Sequence, residues 1–115
     1  MKYTVVCVGK LKERFWKDAC AEYTKRLGAY AKVDIREVAD IDPAKAGGVD
    51  VARDKEGAAI LATLPPRAHV ILLAIEGKER SSEELSARLD DLMLRGNSDI
   101  AFVIGGSDGV SDDVR

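Results

Sequence analysis

The sequence predicts an α/β fold with a largely parallel sheet, and two observations support this. Strand-like and helix-like segments alternate along the whole chain, and two of the strand-like segments are uninterrupted apolar runs. Such alternation is typical of strand–helix–strand units with right-handed crossovers, and such runs are typical of strands covered on both faces. The chain has 115 residues and no internal repeat or linker, so residues 1–115 are expected to form a single domain.

The first part of the chain predicts two strands around one helix. Residues 2–8, KYTVVCV, are apolar and β-branched and end at Gly9, as in a buried strand. Residues 13–27 repeat apolar side chains every three or four positions, which predicts an amphipathic helix ended by a left-handed Gly28. Residues 32–38, KVDIREV, alternate apolar and polar side chains, as in a half-buried strand near a sheet edge. The segment that follows, ADIDPAKAGG, is expected to be a loop.

The middle of the chain predicts a second helix and a third strand. Residues 49–64 form the helical segment, and Pro65 and Pro66 stop it because proline lacks the amide that a helix needs. The run HVILLAI, residues 69–75, has the length of a strand and no polar member after its first residue. It is therefore expected to be covered on both faces.

The last predicted helix has clear start and stop signals. Ser81 and Glu84 have the spacing of a capping box, and Gly96 follows Arg95 where a helix C-terminus favours glycine. Residues 100–104, IAFVI, form a second fully apolar strand.

Composition limits the function classes. The net charge is −2, but residues 1–36 carry nine basic and four acidic side chains, a net charge of +5, which permits a basic surface facing RNA. An ordinary solvated helix face explains the same charges. Neither apolar run approaches the length of a membrane span, and no signal peptide precedes the first strand, so a cytoplasmic protein is expected. Cys7 and Cys20 are expected to be buried, reduced thiols.

A glycine-rich turn after the last strand is the candidate ligand site. In open α/β sheets, ligands bind beyond the carboxyl ends of the strands. Gly105, Gly106 and Gly109 permit positive φ angles and close approach of a ligand, although a tight turn that needs glycine sterically remains the alternative. The nearby acidic side chains disfavour phosphate and favour a neutral or cationic ligand: Asp108, Asp112 and Asp113. Ordinary capping of a helix that begins here, with Ser111 as the predicted cap, is the alternative explanation of these acidic residues.

Other chemistries lack the residues they require. The chain has no GxxxxGK[ST] or GxGxxG motif, and its only histidine, His69, has no cluster of metal-ligating residues near it in sequence, so no metal site is expected. No GxSxG motif is present either, so a serine nucleophile is not expected. Four acidic residues in loops are expected to be solvated: Asp40, Asp42, Glu76 and Glu79.

Several segments together resemble one enzyme family. The segments are VGKLKERFWKDACAEYTKRLGAYAKVDIREV, KEGAAIL, LLAIEGKERSSEELSARL and DIAFVIGGSDGVSDDV. They resemble the bacterial ribosomal RNA large subunit methyltransferase H family, which belongs to the SPOUT class of trefoil-knotted methyltransferases. The resemblance covers essentially the whole chain.

The resemblance implies a function, a cofactor and a set of site residues. Its members use S-adenosyl-L-methionine to methylate N3 of a pseudouridine in 23S rRNA, and they work in the cytoplasm as homodimers. By analogy, Leu73, Gly105 and Gly106 are expected to bind the cofactor. Ile75, Glu76 and Gly77 match a strand-end segment near the cofactor pocket, and Lys55, Glu56 and Gly57 match a KEG motif. Close packing is the expected reason for glycine at position 57, since glycine is unfavourable inside a helix.

The family's chain continues beyond the position of Arg115 with another strand, a cofactor-wrapping loop and the knotted helix. No catalytic residue is therefore assigned, and this chain alone is expected to be an inactive fragment. Two other readings stay open: a shortened homologue that binds RNA or a partner without catalysis, and a metabolite-binding α/β domain that shares only the architecture. The basic side chains around the first helix are candidates for contacts with RNA phosphates: Lys10, Lys12, Arg14 and Lys17.

Overall fold

The computed structural model describes residues 2–10, 13–106 and 108–115. The described residues form four strands and four helices, and all four strands pair in parallel in the order β2-β1-β4-β3. The strands are β1 (Lys2–Val8), β2 (Lys32–Val38), β3 (His69–Leu72) and β4 (Asp99–Ile104). The helices are α1 (Arg14–Leu27), α2 (Pro43–Ala46), α3 (Val49–Thr63) and α4 (Ser82–Leu94). The predicted α/β class with a parallel sheet is confirmed.

One face of the sheet forms the core with α3. Val6 in β1 and Val103 in β4 are register partners, and both are fully buried together with Ile60 of α3. The chain moves from β1 to β2 through α1 and then crosses the sheet in the opposite direction, from β2 to β3, through α3. Crossovers between parallel strands are right-handed, so two crossovers in opposite directions place their helices on opposite faces. Helix α1 therefore lies on the face opposite α3.

The opposite face is less completely covered. No residue of α1 is buried, and its aromatic side chains Phe15 and Trp16 are more than half exposed. The radius of gyration, 15.0 Å, exceeds the roughly 13 Å typical of a compact domain of this length. Both cysteines are free, but Cys20 is exposed and Cys7 half-buried, so the prediction of two buried thiols is wrong. The reason is that α1 presents its apolar stripe without a covering element.

Helix ends follow the local sequence at α4 but not at α1. The hydroxyl of Ser81 accepts a hydrogen bond from the Glu84 amide (3.1 Å), and the Glu84 carboxylate accepts one from the Ser81 amide (3.4 Å), which confirms the capping box. Gly96 has φ of +92° and ends α4 as predicted. Gly28 is right-handed, with φ of −57°, because the chain continues one more helical turn in which the Ala31 amide donates to the carbonyl of Leu27.

Two other expectations need correction. The segment predicted as a loop contains α2, which forms because the Asp42 carboxylate accepts a hydrogen bond from the Ala44 amide (3.0 Å) and Pro43 suits a first helical position. The apolar run of residues 69–75 is not covered on both faces. It forms a four-residue edge strand, and Val70, Leu73 and Ile75 are 41%, 52% and 92% exposed. By contrast, the edge position expected for residues 32–38 is confirmed.

Candidate functional site

A cleft opens where β3 and β4 end at the carboxyl edge of the sheet. Its volume is about 150 Å³. One wall is the segment that continues β3, residues 72–76, and the other is the turn that follows β4, with Ile104 and Val110 as its apolar members. Because β3 and β4 are neighbours in the sheet, parallel pairing brings the two turns together.

The three predicted cofactor residues meet in this cleft. Leu73, Gly105 and Gly106 all line it. The Leu73 amide donates to the carbonyl of Val103 (2.9 Å), so the backbone at Leu73 is fixed by the sheet while its side chain stays half exposed. The geometry brings these residues together; that they bind a cofactor stays a prediction.

Glycine is required in the turn chiefly by close packing. A Cβ added at Gly105 would lie 2.6 Å from Cγ1 of Val110, closer than real Cβ atoms approach. A Cβ at Gly106 would lie 3.3 Å from Oε1 of Glu56 and 3.3 Å from Cγ1 of Val8. Positive φ occurs only at Gly109 (+84°) among these three glycines, so at Gly105 and Gly106 the steric alternative explains the glycine.

The segment after the turn packs onto α3 through a notch at Gly57. Ser111 is buried there, and a Cβ at Gly57 would collide with its hydroxyl and lie 3.1 Å from its Cβ. Close packing as the reason for glycine at position 57 is therefore confirmed. The carbonyl of Ser111 accepts from the amides of Val114 and Arg115, the start of a helical turn. Its buried hydroxyl has no hydrogen-bond partner among the described residues, so Ser111 does not act as the predicted side-chain cap.

An ion pair spans the mouth of the cleft. Nη2 of Arg115 lies 2.6 Å from Oε1 of Glu76, and both side chains are about half exposed. Glu76 is thus paired rather than simply solvated. Of the other acidic loop residues, Asp42 caps α2 and Glu79 is exposed.

Glu56 belongs to the KEG motif of the sequence, but sequence reasoning assigned it no role in the site. It lies on α3 and is only 6% exposed, with Oε2 accepting a hydrogen bond from the Ile41 amide (2.9 Å). Burial raises the pKa of the Glu56 carboxyl above its usual range, the nearby carboxyls of Asp40 and Asp108 raise it further, and the Ile41 amide acts in the opposite direction. The spacing of Glu56 in the sequence could have indicated its burial. Glu56 follows buried Ala52 by four residues and precedes buried Ile60 by four, so it lies on the buried face of α3.

Other features of the described residues do not form a comparable site. A larger depression of about 590 Å³ lies between the end of α1 and the start of β2, but it is shallow and at the amino edge of the sheet. No group of three or more histidine, cysteine or carboxylate side chains that could hold a metal ion occurs in the described part of the chain. In the same residues, no helix has both the length and the apolarity to cross a membrane.

The candidate RNA-contacting residues that the structure describes are all exposed. Lys10 and Lys17 are exposed, and Arg14 is exposed and lies 3.9 Å from the carboxylate of Asp18. Lys12 lies outside the described residues.

Comparison with known proteins defines the class. A family model described as "Predicted SPOUT methyltransferase" matches residues 1–115. The fold and the match together make the chain a SPOUT-class protein.

Curated relatives define the family within that class. The chain is 53% identical over 117 aligned residues to "Ribosomal RNA large subunit methyltransferase H" of Exiguobacterium sp. strain AT1b. It is 50% identical to the protein of the same name from Bacillus pumilus strain SAFR-032. In both cases the match covers 99% of this chain and 74% of the relative. The chain therefore belongs to the ribosomal RNA large subunit methyltransferase H family, and the resemblance that the sequence motifs suggested is confirmed.

Proposed function

We propose that this chain belongs to an S-adenosyl-L-methionine-dependent methyltransferase that modifies N3 of a pseudouridine in 23S rRNA, working as a homodimer in the cytoplasm. One structural observation supports the proposal most directly. The three residues expected to hold the cofactor lie on two different turns, yet they line one cleft at the carboxyl edge of the sheet.

The cleft suits the chemistry of this cofactor. Gly105 and Gly106 line the cleft without side chains, and a side chain at either position would disturb the packing that shapes the turn. Leu73 and Ile104 offer apolar surface to a purine ring, and the acidic side chain of the lining, Glu76, is paired with Arg115. When bound, S-adenosyl-L-methionine supplies a methyl group made electrophilic by its sulfonium.

The cleft accommodates only part of such a ligand. Its 150 Å³ is below the roughly 300–1,000 Å³ of pockets that enclose drug-sized molecules. Leu73, Gly105 and Gly106 would therefore hold one side of the cofactor and fix its orientation, and the apolar walls would exclude water from that side. We assign no residue here to proton transfer. Exposed Lys10, Arg14 and Lys17 are proposed to contact RNA phosphates, each adding salt dependence without sequence preference.

Cofactor titration tests the proposal. The chain is titrated calorimetrically with S-adenosyl-L-methionine and S-adenosylhomocysteine, alongside Gly105→Trp and the matched control Ser86→Trp on the exposed face of α4. We expect binding to the wild-type and control proteins and none to Gly105→Trp, whose indole cannot fit beside Val110. Absence of binding to the wild-type chain at millimolar cofactor would contradict the proposal.

Methyl transfer separates an enzyme from a binding module. Ribosomes lacking the modification are incubated with radiolabelled cofactor and either this chain or a full-length relative as the positive control. Transfer by the relative together with cofactor binding by this chain supports the methyltransferase proposal. We expect no detectable transfer by the 115-residue chain itself, and turnover by it would show that these residues suffice for catalysis.

A further inference from the structure

Glu56 occupies an unusual position for a carboxyl group. It is nearly fully buried in the middle of α3, a helix whose other buried members, Ala52, Gly57 and Ile60, are apolar. Burying a carboxyl group costs free energy unless its oxygens have partners. One carboxyl oxygen of Glu56 has such a partner, and the other lies beside the glycine turn of the candidate site.

The two oxygens of Glu56 face two different strand ends. Oε2 accepts the hydrogen bond from the Ile41 amide, which lies just beyond β2. Oε1 lies next to Gly106, beyond β4, as the 3.3 Å separation from an added Cβ shows. Cγ1 of Val8, the last residue of β1, lies 3.3 Å from the same added Cβ. The carboxyl group thus links α3 to the ends of the sheet at the point where the glycine turn begins.

We infer that Glu56 is a positioning residue of the cofactor site: its carboxyl group, anchored by the Ile41 amide, supports Gly106 and fixes the glycine turn that lines the cleft. The expected effect on cofactor affinity rests on the proposed function. The expected effect on the turn, that it depends on Glu56, does not rest on that function. Functional sites of this kind need neighbouring groups that hold the contacting residues in place.

Three variants of Glu56 and one control variant distinguish loss of support for the glycine turn from a general loss of folding stability. Glu56→Gln keeps an oxygen that can accept from the Ile41 amide and keeps the volume under Gly106. Glu56→Ala removes both, and Glu56→Asp keeps a carboxyl group but shortens the reach by one methylene. Ile60→Val on the same helix is the matched control, because it destabilises the core without changing a group beside Gly106.

Two measurements test the inference. The first is cofactor affinity at a temperature where every variant is folded. Loss of a buried hydrogen bond that the bound form requires weakens binding by about tenfold or more. We expect that loss for Glu56→Ala and Glu56→Asp, and affinity close to wild type for Glu56→Gln and Ile60→Val. Unchanged affinity in Glu56→Ala would overturn the inference.

The second measurement needs no ligand. The Gly109 amide donates to the carbonyl of Gly106 across the turn (3.1 Å), so its hydrogen exchange reports how well the turn is held. We expect exchange about tenfold faster in Glu56→Ala and Glu56→Asp, and unchanged in Glu56→Gln and Ile60→Val. If the wild-type chain binds no cofactor, the proposed function fails and the exchange result alone decides the inference. If Glu56→Ala does not fold, Glu56→Asp supplies both measurements, and equal exchange in it and the wild type refutes the positioning role.

Discussion

Replacement of Gly57 by alanine tests the packing of the glycine turn against α3. In an exposed helix interior this change stabilises by about 1 kcal/mol, since alanine is the better helix former. At Gly57 the new Cβ would collide with the Ser111 hydroxyl and lie 3.1 Å from Cβ of Ser111 and 3.3 Å from Cγ2 of Val114. Overpacking of this kind costs about 1–3 kcal/mol.

The two effects predict net destabilisation. The midpoint of the packing cost exceeds the helical gain by about 1 kcal/mol, which lowers the melting temperature by about 4 °C for a chain of this length. Urea denaturation followed by circular dichroism measures the free energy of unfolding. Ala58→Gly at the exposed neighbouring position is the control, because it measures the helix-propensity difference without the packing contact.

A double-mutant cycle with Ser111→Ala isolates the contact. The Ser111 hydroxyl is buried without a partner among the described residues, so its removal is expected to be neutral or slightly stabilising. In that background the shortest contact is gone, and Gly57→Ala should cost about 1 kcal/mol less than in the wild type. The reasoning is refuted if Gly57→Ala stabilises the wild-type chain by as much as Ala58→Gly destabilises it. Equal effects of Gly57→Ala in both backgrounds would refute it as well.

Three further predictions concern single side chains. Ser81→Ala removes the hydroxyl that accepts from the Glu84 amide, while the amide of residue 81 can still donate to the Glu84 carboxylate. This change should cost about 1 kcal/mol of unfolding free energy, whereas Ser86→Ala on the same helix should not destabilise. Because the folded-state pKa of Glu56 is raised, its ionisation opposes folding. The stability that this group contributes is therefore fully present below the ordinary glutamate pKa and is lost as pH rises through the pKa of the folded state. In denaturation measured across pH, Glu56→Gln should lack this decrease in unfolding free energy. An identical pH dependence in the wild type and Glu56→Gln would contradict the assignment. Glu76→Gln should change stability by less than about 1 kcal/mol, since its pair with Arg115 is half exposed, and a larger loss in thermal unfolding would show a stronger pair.

The sequence predicts those features that depend on neighbours along the chain. The capping box at Ser81 and the stop at Gly96 follow from local backbone hydrogen bonding, and both occur as predicted. The alternation of strands and helices predicted the parallel sheet, because a helix between two strands returns the chain to the edge where the next parallel strand begins.

Features set by distant elements were not predicted. The apolar run at residues 69–75 indicates how apolar the strand is but not which elements cover it, so its exposed edge position was missed. The prediction that Cys20 is buried was wrong for the same reason, since the periodicity of α1 identifies an apolar stripe without showing that another element covers it. Glu56 was read only as part of a motif, because a charged residue is normally assigned to the surface and its partners come from turns after β2 and β4.

The central position of β1 has a consequence for the order of folding. Lys2 pairs with Lys32 on one side and with Asp99 on the other. The first pairing closes a short loop within a β1-α1-β2 unit, and β3-α4-β4 forms a similar local unit, whereas the pairing of β1 with β4 joins the two across most of the chain. Long-range pairings of this kind form slowly because the loop entropy is lost before contacts compensate for it. The walls of the cleft lie at the strand ends of the second unit. The glycine turn in those walls packs against Val8 of the first unit and near Glu56 of α3, and Ser111 after the turn packs against Gly57 of α3. The cleft is therefore complete only when the two units and α3 are assembled, and a chain in which they had formed without docking would have secondary structure but no ligand site.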